Sequence, residues 1–163
     1  MKEGPSALLA GAAVLTAGAI GARNGPQRPV AAAWYGLLRK PSYTPPGPAI
    51  GAAWGVLEVL LASAGYRLLR APRTEARYAA LGAWGLTVAG LAGYPYLFFT
   101  RKRLASASAA SAAMLAAAAG TAIAARDVDR PAAAMTIPLL LWLGFATVLS
   151  EELWRKNRYL SRD

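Results

Sequence analysis

Trp54 and Glu58 stand four residues apart inside an otherwise apolar run, so a helix there puts an indole and a carboxyl on one face. Trp142 lies deep in another apolar run. Indole rings offer large faces for offset stacking, so the pair suits the walls of a pocket for a flat aromatic ligand. An acid in the middle of an apolar run is costly in lipid and marks a candidate site. Glu58 can act as a neutral hydrogen-bonding acid or pair with a cation, with Arg39 and Lys40 as candidates. The plainer alternatives are indoles that pack against lipid or a neighbouring helix, and an acid buried in a helix contact.

Other chemistry is excluded by residue type. The chain has no Cys and no His, which removes thiolate catalysis, disulfides and imidazole–metal sites. No nucleophile–base pair, metal cluster or phosphate-binding loop is present, so no catalytic or metal residue is expected. Any enzymatic reaction would have to be driven by light or an oxidant, with Trp participation.

The elements that position these residues are apolar runs joined by basic turns. Of the 163 residues, 56% are hydrophobic and 16% charged. Soluble domains carry about 25% charged residues. The net charge of +10 sits in short clusters between the runs, a pattern of membrane topology and lipid headgroups rather than nucleic acid. Spans are predicted at about 4–22, 48–66, 78–100, 104–125 and 131–153, making one domain, 1–163, an all-α bundle of five transmembrane helices. The Ala- and Ser-rich run 104–125 is the weakest by hydropathy. Eleven Lys and Arg fall on the side of the C-terminus and seven on the other, which predicts a cytoplasmic C-terminus.

Between the first two spans lies a Pro-rich loop, 24–47, holding Trp34, Tyr35, Arg39, Lys40, Pro41, Tyr43, Pro45 and Pro46. Its prolines fix φ and remove donors, so Trp34–Pro46 is expected to be stiff without being a regular helix. Gly11 and Gly18 share a face of the first span, and Gly51 and Gly55 a face of the second. Gly85, Ala89 and Gly93 form a small-residue ladder on the third, a candidate dimer face, although an Ala-rich chain makes such ladders by chance.

Trp34-Tyr35, Leu38, Lys40-Pro41 and Pro45-Pro46 resemble the W-Y-x-x-L-x-K-P-x-x-x-P-P loop of the TspO/MBR family, the tryptophan-rich sensory proteins akin to the mitochondrial translocator protein. Trp54, Phe98-Phe99 with Lys102-Arg103-Leu104-Ala105, Ile137-Pro138 through Trp142, Phe145-Ala146-Thr147, Leu149, Trp154-Arg155 and Asn157 extend the resemblance through all five spans. The sequence departs from it at Leu91 and Ser150, where Asn is common, and at Tyr94, where Trp is. Glu151 replaces an aromatic of the cholesterol-recognition pattern, which argues against a sterol partner.

The resemblance implies a cavity between helices, lidded by the loop after the first, and often a homodimer. It implies porphyrin-like ligands, with no obligatory cofactor, and ligand-binding residues Trp34, Tyr35, Lys40, Pro41, Pro45, Pro46, Trp54, Glu58, Tyr94, Phe98, Trp142 and Phe145. The expected role is a sensor, regulator or transport-associated protein of tetrapyrrole or stress response in a bacterial cell membrane. Degradation of a bound porphyrin, or a scaffold with no small ligand of its own, remain the alternatives.

Overall fold

The structure, a computed structural model, describes residues 3–163. It is helical, with no strand among the described residues. The helices are α1 (Glu3–Arg23), α2 (Pro29–Leu37), α3 (Gly47–Arg70), α4 (Glu75–Pro95), α5 (Leu104–Ala125) and α6 (Arg130–Lys156). A π-helical turn, Tyr96–Thr100, extends α4, and a 3-10 turn, Arg158–Leu160, follows α6.

Capping explains several boundaries. The Thr74 hydroxyl accepts from the Arg77 amide at 3.2 Å and opens α4. The Asp129 carboxylate accepts from the Ala132 amide at 2.8 Å and opens α6. Arg77 is buried and donates to the carbonyls of Leu68 and Leu69 at 2.8 and 2.9 Å, satisfying the last turn of α3. Arg67 of α3 binds Asp129 at 2.7 Å, which ties that end to the start of α6.

Packing order around the bundle is α1, α3, α6, α5, α4 and back to α1. Small residues set the close approaches. Ala64, Ala80, Ala107, Ala118 and Ala125 are fully buried. A Cβ on Gly65 would stand 2.5 Å from the Trp84 ring, whose indole donates to the Leu61 carbonyl at 2.9 Å. A Cβ on Gly90 would stand 2.7 Å from the Met114 sulfur.

Two expectations change. Trp34 and Tyr35 lie in a regular helix, α2, where the Pro-rich stretch was expected to exclude one. Pro29 occupies its first turn, where no amide is needed, and the next proline comes only at Pro41, so nothing bars helix as far as Leu37. Hydropathy also ranks the spans differently. α1, α3, α5 and α6 are each long and apolar enough to cross a membrane, the Ala-rich α5 included. α4, equally long, does not reach that level by composition, because Gly82, Gly85, Gly90, Gly93, Trp84 and Tyr94 dilute its aliphatic residues. It nevertheless occupies a full place in the ring, between α1 and α5.

Candidate functional site: two aromatic clusters under a latched loop

The expected binding residues divide into two groups. In the first, Trp54 of α3 meets Trp142 of α6 edge to face, with centroids 6.3 Å apart and planes at 83°. Phe145, one turn on, lies 5.6 Å from Trp142, and Tyr43 from the loop packs on Phe145 at 6.1 Å. The Tyr43 hydroxyl bonds to the Glu152 carboxylate. The two indoles thus touch each other and do not flank an open slot. The Trp142 indole N–H is buried and has no hydrogen-bond partner among the described residues. A buried donor left unmade costs about 1–3 kcal/mol, so it marks a place where an acceptor is wanted.

In the second group, Phe98 on the π-helical turn is 2% exposed and forms the hub. Trp34 packs on its edge at 5.6 Å, Tyr35 at 6.2 Å, and Tyr94 stacks on it at 5.7 Å. Leu38, Leu104 and Leu153 close the cluster from the loop, α5 and α6 respectively. The hydroxyls of Tyr94 and Ser150 share a hydrogen bond of 2.7 Å. Two positions at which the sequence departs from the family pattern therefore meet each other.

The loop that covers these rings is held by backbone and side-chain bonds. Asn157, with no exposed surface, accepts from the Arg39 amide at 2.8 Å and donates to the carbonyls of Arg39 and Leu153 at 3.0 and 2.8 Å. Lys40 donates to the Tyr35 and Leu38 carbonyls at 2.6 and 3.4 Å, and its ammonium lies 4.4 Å from the centre of the Tyr35 ring. It caps the end of α2, so its positive charge is spent on that terminus rather than offered to a ligand. Pro41 is buried; its carbonyl accepts from the Thr44 amide and hydroxyl at 3.1 and 2.8 Å. Pro45 is partly buried, and Pro46 is exposed and precedes the first turn of α3.

Lys102 joins the same end. Its φ of 56° is the one positive value among the described non-glycine residues, its ammonium lies 5.6 Å from the Trp34 ring, and its carbonyl accepts from the Arg162 amide at 3.0 Å. Asp163 then caps α5, accepting from the Ala105 and Ser106 amides at 2.7 and 3.1 Å. Burial alone would raise the Asp163 carboxyl, but the bonds from Ser106 and Ser161 and the two amides hold its pKa at about 2.

Glu58 turns the other way. Its carboxyl oxygens lie 2.9 and 3.0 Å from where a Cβ of Gly18 would stand, so it faces α1 while Trp54 faces α6. Neither Arg39 nor Lys40 pairs with it: the Arg39 guanidinium sits 5.7 Å from the Tyr159 ring. The small-residue ladder of α4 is not packed closely against a neighbouring helix. Gly85 and Gly93 have nothing within 4 Å of a Cβ position and Ala89 is exposed. Gly85 and Ala89 line a shallow apolar groove of about 540 Å³ between α1 and α4, with Leu9, Thr16 and Ile20 opposite.

Sequence reasoning left Tyr43, Lys102, Ser150, Glu152 and Asn157 out of the site. Tyr43 was visible as an aromatic inside the Pro-rich stretch. No local pattern could show that Asn157 binds a residue 118 positions earlier.

An all-helical chain with several apolar helices long enough for a bilayer, and aromatic clusters beneath a latched loop, is a membrane protein. Comparison with known sequences gives the family. The TspO/MBR family profile matches residues 9–155. The human translocator protein is 32% identical over 126 residues, covering 76% of this chain and 75% of that protein. The membrane protein YtaB of Bacillus subtilis is 34% identical over 128 residues, covering 75% and 79%. The protein CrtK of Rhodobacter capsulatus is 29% identical over 142 residues, covering 86% of each. The chain belongs to the TspO/MBR family.

Proposed function

We propose that all five long helices cross the bilayer and that the bundle binds a flat, porphyrin-like aromatic ligand over Trp54, Trp142 and Phe145, beneath the loop held by Tyr43. The observation that carries this reading is the buried, unpartnered indole N–H of Trp142 beside two further rings. A carboxylate or carbonyl of the ligand satisfies that donor, and the ring faces supply stacking of about 0.5–1.5 kcal/mol each beyond buried area. Because the indoles touch edge to face, the ligand lies across them or displaces one ring, and is not slotted between. Binding alters the Tyr43–Glu152 contact and so reports to the loop, which suits a sensor, regulator or transport-associated protein in tetrapyrrole or stress response.

The test is a titration of protoporphyrin into the reconstituted protein, followed by Trp fluorescence. Trp54→Phe with Trp142→Phe loses the donor and both indole faces, and affinity falls at least roughly tenfold. Equal affinity in the two proteins refutes the site. Consumption of the bound tetrapyrrole with appearance of a product would establish the enzymatic alternative instead.

The same reading places the protein in a bacterial cell membrane with the C-terminus and the Pro-rich loop in the cytoplasm, from the eleven-to-seven distribution of Lys and Arg. A reporter fused after Asp163 that is active only outside the cytoplasm would overturn that orientation. Self-association through the groove bearing Gly85 and Ala89 is the corresponding proposal for a homodimer.

A further inference from the structure

Glu58 lies eleven residues from the start and twelve from the end of a helix of 24, which at about 1.5 Å per residue puts its Cα about 16 Å from one end and about 18 Å from the other. Its neighbour at that depth, α1, has no charged residue from Gly4 to Ala22. The carboxyl is tucked into the notch left by Gly18 and has no hydrogen bond or ion pair among the described residues. It is also only partly buried. Gly55 and Val59 beside it on α3, and Leu15, Ala19 and Ala22 on α1, are exposed. In a membrane protein, exposed surface at that depth meets acyl chains, so this seam opens on the hydrocarbon.

A lone carboxylate there is unfavourable and must be neutralised. No cation among the described residues pairs with it: Lys40 caps α2, Arg39 lies against Tyr159, and Arg67 is paired with Asp129. A divalent metal would need further oxygen ligands, and no group of three acidic side chains that could hold one exists among the described residues. What remains is a proton, or a cation that arrives through the lipid with its own apolar body.

We propose that Glu58 and Gly18 form a second ligand site, open to the bilayer and separate from the aromatic site, for the head group of a lipophilic amine. The amine enters as the free base. The proton of the Glu58 carboxyl passes to its nitrogen, leaving an ammonium–carboxylate pair with no net charge and nothing else consumed. The carboxyl itself fills the space beside Gly18, so the head meets the lipid-facing edge of the carboxyl and the tail lies along Leu15 and Val59. This site does not depend on the porphyrin-like ligand.

The experiment uses the full chain in phosphatidylcholine vesicles, the hydrophobic reagent dicyclohexylcarbodiimide, and mass spectrometry to locate and time the modified carboxyl. Glu58 is modified, and N,N-dimethyldodecylamine, a tertiary amine that the activated carboxyl cannot convert to an amide, slows its modification roughly tenfold while dodecanol at the same membrane concentration does not. In Gly18→Leu the added side chain displaces the carboxyl from its place beside α1, so protection by the tertiary amine is lost. The wild-type comparison of amine with alcohol needs no variant and stands if Gly18→Leu fails to fold. Absence of modification at Glu58 shows a carboxyl out of reach of the bilayer and overturns the proposal. Equal slowing by dodecanol, or none by the tertiary amine, overturns it as well.

Discussion

Replacing Asn157 by Ala removes the one side chain that binds both the amide and the carbonyl of Arg39. Three hydrogen bonds of 2.8, 3.0 and 2.8 Å are lost, one of them to Leu153. Each is worth about 0.5–1.5 kcal/mol net, and the groups left behind at a fully buried position add desolvation cost. The closed loop is expected to lose about 2–4 kcal/mol, which raises the population of its open form roughly thirtyfold or more. Hydrogen exchange by mass spectrometry reads this directly, because the Arg39 amide is protected by the bond that is removed. Peptides spanning residues 36–46 should exchange faster by that factor, while those from the middle of α5 keep their rate. Asn157→Leu restores the volume without the bonds and should resemble Asn157→Ala. Exchange within twofold of wild type in both variants would refute the view that Asn157 latches the loop.

Gly65→Ala forces a Cβ to 2.5 Å from the Trp84 ring and breaks its bond to the Leu61 carbonyl; thermal unfolding in detergent should show a loss of about 1–3 kcal/mol. Asp163 carries a pKa of about 2 against an ordinary 3.8, so its cap on α5 contributes fully above pH 4 and is lost as pH falls toward 2. Wild type should therefore lose stability across that window relative to Asp163→Asn, and parallel pH profiles would count against the cap. Ala89→Leu fills the groove between α1 and α4 and should lower the crosslinked-dimer yield of the reconstituted protein while leaving monomer stability intact.

How far the chain could be read before its fold depends on the kind of information each feature carries. The apolar runs and basic turns located the long helices because backbone hydrogen bonding and transfer into lipid are set by local composition. The absence of Cys and His, and the loop signature of Trp34-Tyr35 through Pro46, likewise lie in the chain itself. Helix α2 is also legible in the sequence: Pro29 is well placed to start it, and the next proline, Pro41, lies beyond its end and does not bar helix upstream.

Only the tertiary structure decided which faces meet. In hydrocarbon a lipid-facing Leu and a buried Leu look alike, so hydropathy cannot order the ring α1, α3, α6, α5, α4; steric fit does, as Gly65 against Trp84 and Gly90 against Met114 show. That order sent Trp54 and Glu58, four residues apart on one helix, to different neighbours, α6 and α1. It also separated Trp34, Tyr35, Tyr94 and Phe98 from the Trp54–Trp142 pair, and assigned Lys40 to a helix end. Side chains on one face of a helix share a direction, but what they touch is a property of the neighbour, which no local spacing encodes.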